Sequence, residues 1–177
     1  MGNAIRLLVQ HGISLYAMHL PLDAHSLWGN NAQLALRLGI PLTAQTPFGY
    51  SRGLPAGILG DFPEPLSPAE VARRMETALG SPCRLYGDSG AGPVRRVGMV
   101  TGSGARYMEE ARQGGAELFV TGELGHVEGI TSLELGMPVV VGGHYATEVT
   151  GPQAMMAQVQ EHFPQLECLW IEAPTGL

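Results

Sequence analysis

Cysteine is scarce in this chain: Cys83 and Cys168 are the only two in 177 residues. Two thiols make no disulfide framework, and there is no C-x-x-C pair. Both are expected as buried thiols in a reducing setting. Long apolar runs are missing too, since nothing approaches the roughly 20 residues that span a bilayer. The start, Met1-Gly2-Asn3-Ala4-Ile5-Arg6, has no basic stretch feeding a long apolar one, so no signal peptide is read. Positive charge is in short supply: 10 basic residues face 16 acidic ones, for a net charge of −6. An acidic chain without a basic run argues against nucleic acid as a partner. There is no Walker loop, no internal repeat and no low-complexity tract. No serine or cysteine is read as the nucleophile of a strand-to-helix elbow. The expectation is a soluble cytoplasmic protein with no membrane association.

What is present can build a core. Hydrophobic residues make up 45% of the chain and charged residues 15%, enough for one good-sized domain or two small ones. Ala4 to Gln10 reads as a helix stopped by Gly12. Ile13 to Met18 reads as a short buried strand. Asn30 or Asn31 caps a helix carrying Leu34, Ala35 and Leu38, ended by Gly39. Thr43 to Phe62 is rich in Gly and Pro and gives strand-like fragments, the best being Pro55 to Gly60. Ser67-Pro68-Ala69-Glu70 is a capping box opening a helix with Val71, Met75, Ala78 and Leu79 on one stripe, closed by Gly80. Strands are expected over 83–86 and 94–101, with a turn over 88–93 between them. A helix over 105–113, a strand over 118–121, a helix around Val127, Ile130 and Leu133, a strand over 138–141, a helix with Met155, Met156 and Val159, and a final strand over 168–171 follow. Such alternation predicts α/β architecture with mostly parallel, buried strands.

Two polar clusters sit where predicted strands end. The first is His19-Leu20-Pro21-Leu22-Asp23-Ala24-His25, in which Pro21 is expected to keep the backbone extended. The second is Gly142-Gly143-His144-Tyr145-Ala146-Thr147-Glu148. If the segment is helical, His144 and Glu148 at i, i+4 share a face. An imidazole and a carboxylate so placed suit zinc, manganese or iron, and equally suit a plain surface pair. Pro152 cannot donate to the carbonyl of Glu148, so a helix there kinks or starts late. Gly102-Ser103-Gly104 lies between a strand and a helix and could cradle an anion on backbone N–H groups, or could simply be a tight turn. It is not the dinucleotide fingerprint, because Tyr107 stands at the third glycine. Thr121-Gly122-Glu123 and His126 end the next strand.

Five strings occur together in one order: 13–23, Gly29-Asn30-Asn31-Ala32, Val100-Thr101-Gly102-Ser103-Gly104, Phe119-Val120-Thr121-Gly122-Glu123 and Gly143-His144-Tyr145-Ala146-Thr147-Glu148. In this the chain resembles the Nif-three-like proteins, the GTP cyclohydrolase I type 2 homologues, over nearly its whole length. The resemblance implies two α/β lobes around a cleft, here 1–45 with 138–177 and an inserted 46–137. It implies one or two divalent metal ions (zinc, manganese or iron) in that cleft, with Asp23, His144 and Glu148 as ligands. His19 would lie beside the metals, and His19 or His126 could move protons. The Gly102, Ser103 and Gly104 turn would help shape the cleft. A metal-dependent hydrolase of a nucleotide-like or phosphate-bearing small molecule is implied, as is a homo-oligomer, a hexamer by resemblance. An alternative is a non-enzymatic metal-binding or interaction protein. Relatives also carry an adjacent histidine pair upstream of the first helix. The chain is expected to begin inside that helix and to be N-terminally truncated, with oligomer contacts or a rearranged edge covering the exposed strand.

Overall fold

The computed structural model describes residues 2–87 and 90–175, so Asp88 and Ser89 of the expected turn lie outside the described residues. Helix α1 (Gly2–Gln10) is where the apolar spacing puts it, and Gly12 ends it at φ 63. The run after it is not a strand. Residues 13–18 pair with no neighbour among the described residues, and Leu15 and Tyr16 are 77% and 83% exposed. An apolar run specifies the wish to be buried, but a strand also needs a ladder partner. The segment 168–171 differs from expectation for the same reason, with Ile171 78% exposed.

A short helix, α2 (Leu20–Asp23), follows. Pro21 stands in its first turn rather than holding an extended chain, because its fixed φ suits a helix start. Helix α3 (Asn30–Leu38) is capped by Gly29 and closed by Gly39 at φ 95. The Gly- and Pro-rich stretch forms a long hairpin of β1 (Gln45–Ser51) and β2 (Leu54–Leu66). Ser67 caps α4 (Pro68–Leu79) by accepting the Glu70 N–H at 3.2 Å. Then come β3 (Arg84–Tyr86), β4 (Val94–Val100), a 3₁₀ turn Ala105–Tyr107 and α5 (Met108–Gln113). β5 (Leu118–Thr121), α6 (His126–Leu135), β6 (Val139–Val141), α7 (His144–Glu148) and α8 (Thr150–His162) complete the order. The break between α7 and α8, at Val149, is the one the Pro152 argument anticipates.

One six-stranded open sheet runs β1-β2-β4-β5-β6-β3. Its centre, β4–β5–β6, is parallel, as the continuous apolar strands require. The pairings of β1 with β2, β2 with β4 and β3 with β6 are antiparallel, so the parallel block is flanked by a hairpin and a return strand. β6 pairs in register with β5, Val140 opposite Val120, so the sheet runs across the expected lobe boundary at 137 and 138.

Both faces of the centre are covered. Leu118, Val120 and Val140 pack with Leu34 and Leu38 of α3 and Val71 and Met75 of α4. Phe119 and Val139 point the other way, onto Met108 and Ala111 of α5. Period-2 alternation thus feeds two cores from one strand. Gly98 lets α5 come close: a Cβ there would stand 2.5 Å from the Ala111 Cβ. Val127 and Leu133 of α6 remain exposed, while Gly129 and Ser132 face inward. Cys83 and Cys168 are free and only partly buried, contrary to the expectation of core thiols.

Candidate functional site

The three parallel strands end in glycines, and these carry the backbone hydrogen bonding past the strand ends. Gly122 N and Glu123 N donate to Gly102 O at 3.0 and 2.9 Å; Gly142 N donates to Thr121 O and Gly143 N to Gly122 O, both at 3.0 Å. Carboxyl ends of parallel strands are where open α/β sheets present ligand sites. Gly102 sits at φ 60 directly beneath two side chains of α7: a Cβ there would run into Glu148 Oε1 and stand 3.2 Å from His144 Nε2. Only glycine meets both demands.

His144 is held from two sides. Nδ1 lies 2.5 Å from Glu123 Oε1 and Nε2 lies 3.1 Å from Glu148 Oε2. Burial pushes the imidazole pKa down, but the Glu123 hydrogen bond and the charges of Glu148 and Glu123 outweigh it, so the net direction is up. The Glu148 carboxyl is also raised, first by burial and then by the charge of Asp23, with the imidazoles of His144 and His19 working against both. Asp23 comes from the far end of the sequence and lines the same cleft as Glu148. Its Oδ1 accepts from Asn30 Nδ2 at 2.7 Å and its Oδ2 lies 3.6 Å from His19 Nε2. The cleft measures about 290 Å³.

The sequence-level candidates fare differently. His19, Asp23 and Glu148 line the cleft, and His144 reaches its edge through Glu148. Ser103 and Gly104 line it as well. The Gly102 N–H is already taken by Thr147 Oγ1 at 3.0 Å, and the turn opens a 3₁₀ segment of three residues. It therefore offers no free helix start to an anion. His126 is exposed at the first turn of α6 and is not part of the cleft lining. His25 instead closes a turn: its Nδ1 accepts from Leu27 N and Trp28 N, and its ring stacks on Trp28 at 4.8 Å.

Sequence reading missed the clamps. Asn30 and Asn31 are buried, not solvated caps. Asn30 Oδ1 accepts from Gly151 N at 2.7 Å, and Asn31 Oδ1 accepts from Thr101 N at 2.9 Å while its amide donates to Ala56 O. Two adjacent amides at a helix start, where one cap suffices, were the available signal. Gly49-Tyr50-Ser51-Arg52-Gly53 matches G-x-S-x-G by letter. Ser51 stands at the β1–β2 hairpin, not at a strand-to-helix elbow.

Asp23, His144 and Glu148 are donors of the types that suit zinc, manganese or iron. Glu123 behind His144 is the carboxylate–histidine arrangement common behind metal-ligating imidazoles. As the side chains stand, His144 Nε2 is engaged by Glu148 and Asp23 Oδ1 by Asn30. Among the described residues, no three His, Cys, Asp or Glu side chains close into a metal-holding group. The donors fit such an ion in kind, as an open acidic corner rather than a finished cage.

Known proteins are similar to this chain over nearly its whole length. A GTP cyclohydrolase 1 type 2 homolog of Deinococcus radiodurans is 38% identical over 173 residues, covering 98% of this chain and 64% of its own. One from Pyrococcus horikoshii is 38% identical over 177 residues, covering all of this chain and 69% of its own. This chain therefore spans about two thirds of the length of the curated relatives it matches. Among solved structures, protein ybgI, of unknown function, superposes with a TM-score of 0.85 at 34% identity, over 98% of this chain and 67% of that one. TTHA1606 from Thermus thermophilus gives 0.83 at 36% identity, over 98% and 66%. A family model matches residues 1–175, and the chain belongs to the Duf34/NIF3 (NGG1p interacting factor 3) family.

Proposed function

We propose that this chain binds a divalent metal ion through Asp23, His144 and Glu148, and that it is a metal-dependent hydrolase of a nucleotide-like or phosphate-bearing small molecule. The observation that carries this reading is the meeting of Asp23 from α2 and Glu148 from α7 in one cleft, with His144 on Glu148 and Glu123 behind it. Zinc, manganese or iron, one or two ions, suits such donors. When bound, the ion supplies a Lewis acid and activates water near neutral pH.

The chain's own groups do the rest. Glu123 fixes the orientation of His144, and Asn30 fixes that of Asp23. His19, exposed and beside Asp23, is free to move a proton at the cleft mouth. The relatives' name, GTP cyclohydrolase 1 type 2 homolog, supports a nucleotide-like substrate. Free cysteines suit a reducing cytoplasmic setting. No helix among the described residues is long and apolar enough to cross a membrane. Exposed Leu15, Tyr16, Leu169 and Ile171 support assembly with further copies, a hexamer by family resemblance.

The open corner favours a second reading, a metal-binding or interaction protein without turnover. Elemental analysis combined with a nucleotide-hydrolysis assay separates the two. Metal uptake with turnover, both lost in Glu148→Ala, supports the hydrolase. Uptake without turnover supports the second reading, and metal retained stoichiometrically by Asp23→Ala or Glu148→Ala overturns the ligand assignment.

A further inference from the structure

All ten basic residues of this chain are arginines, against 16 acids. Three of them pair with carboxylates among the described residues. Arg73 and Arg74 share Glu70, and Arg96 takes Asp61. Two arginines of the cleft do not. Arg52 and Arg106 line the same cavity as Asp23 and Glu148, yet neither is in an ion pair among the described residues.

Arg106 is held ready. Its Cζ lies 4.8 Å from the centre of the Tyr107 ring and its Nη2 donates to the Tyr107 hydroxyl at 3.3 Å. The Tyr107 ring is in turn seated on Gly49, where a Cβ would stand 2.9 Å from Tyr107 Cδ1. Stacking orients the guanidinium and leaves its charge uncompensated.

Arg52 carries the stronger signal. It is the one non-glycine with positive φ among the described residues, at 51°. With Gly53 at φ 80 it makes the two-residue link between Ser51 and Leu54, which pair across the hairpin. A turn with both central residues at positive φ prefers Asn or Asp at its first position. Arg there is strained, and strain of this kind persists where a ligand site uses it. The hydroxyl residues Ser51 and Ser103 line the same cavity and add neutral donors. Forked guanidiniums without an internal anion, beside hydroxyl donors, suit the oxygens of a phosphate group.

We propose that Arg52 and Arg106, with Ser51 and Ser103, form an anion subsite that takes the phosphate of a small phosphate ester and leaves the rest of the molecule to the Asp23–Glu148 corner. This rests on the reading of the cleft as a substrate site; the subsite itself needs no metal. It deepens that reading by naming which residues of the cleft recognise charge.

The test is calorimetric titration of the full chain, stripped with EDTA, at low salt. The probes are inorganic phosphate, ribose 5-phosphate and adenosine 5′-monophosphate, with adenosine as the neutral control. The subsite predicts that the phosphate probes bind at least about tenfold tighter than adenosine, and that Arg52→Asn and Arg106→Gln each weaken them by about tenfold or more. Arg52→Asn also raises the melting temperature, because Asn suits the turn; a residue kept for structure alone would not trade affinity for stability in this way. Equal binding of the two esters assigns the site to the phosphate alone, and tighter binding of the nucleotide assigns it to a nucleotide. Phosphate probes that bind no better than adenosine, or that bind both variants as they bind the parent, overturn the proposal. Because metal is absent throughout, failure of zinc uptake in a separate experiment leaves this result standing.

Discussion

Asn30 donates its side-chain amide to Asp23 Oδ1 at 2.7 Å while its own carbonyl oxygen takes the Gly151 N–H at 2.7 Å. One buried side chain thereby ties the carboxylate of α2 to the start of α8, directly after the helix that carries His144 and Glu148. The corner of the cleft is held from its back.

Replacing Asn30 with Ala leaves the buried Gly151 N–H without its partner and frees Asp23 to rotate. The expected loss of stability is about 2 kcal/mol, or roughly 4–8 °C of melting temperature for a chain of this size. Zinc affinity falls about tenfold, as is typical when an outer partner of a ligand is removed. Thermal unfolding and zinc titration of Asn30→Ala check both; a variant that melts and binds like the parent removes the clamp from the account.

Glu123 acts on His144 in the same manner. Glu123→Gln keeps the size of the side chain and removes the charge. Burial already pushes the His144 pKa down while Glu123 and Glu148 lift it, so the substitution lowers that pKa. The imidazole resonances of His144, followed by NMR across the pH range, show the shift directly. An unchanged titration means that Glu148 alone sets the imidazole.

Acid stability has a separate source on α4. The Glu70 carboxyl is held down to about 2, against its ordinary 4.5, by hydrogen bonds from Arg73 and Arg74 and then by their charge, which together exceed the small opposing effect of burial. A depressed carboxyl contributes stability above its unfolded value, and that contribution is lost as the pH falls from about 4.5 toward 2. Glu70→Gln therefore narrows the gap between melting temperatures at pH 6 and pH 2.5. Glu70 lies at the surface and is only partly covered, so the effect is small and shrinks further in salt.

Cys83 gives a chemical check on packing. Burial, and then the charge of Glu76, push its thiol up to about 12 from 9.0. At pH 8 this cuts the reactive thiolate by roughly a thousandfold relative to an unperturbed thiol. Alkylation of the native chain should therefore spare Cys83 and reach it on unfolding, as peptide mapping by mass spectrometry reports.

The helix over 68–79 was legible because cap, stripe and glycine stop all agree, and the helix over 30–38 because stripe and glycine stop agree. The strands over 118–121 and 139–141 were legible because both of their faces are apolar. The runs over 13–18 and 168–171 carry the same apolar signal but pair with no strand among the described residues, and pairing is not written in a strand's own residues. In the site, the i, i+4 spacing paired His144 with Glu148, but only family likeness joined Asp23 to them, since nothing local ties residue 23 to residue 148. Asn30 and Asn31 read as caps because local propensity explains them equally well. Arg52 was readable in principle, as an Arg-Gly turn between strand-like segments, but only the backbone shows that Arg occupies the strained position.

The central claim is that Asp23, His144 and Glu148 form a divalent-metal site. Calorimetric titration of the EDTA-stripped chain with zinc and with manganese, paired with elemental analysis, tests it most directly. The account predicts at least one ion per chain, and a loss of about tenfold or more in affinity for each of Asp23→Ala, His144→Ala and Glu148→Ala. A chain that takes up neither ion, or a Glu148→Ala variant that holds its ion as tightly as the parent, contradicts it.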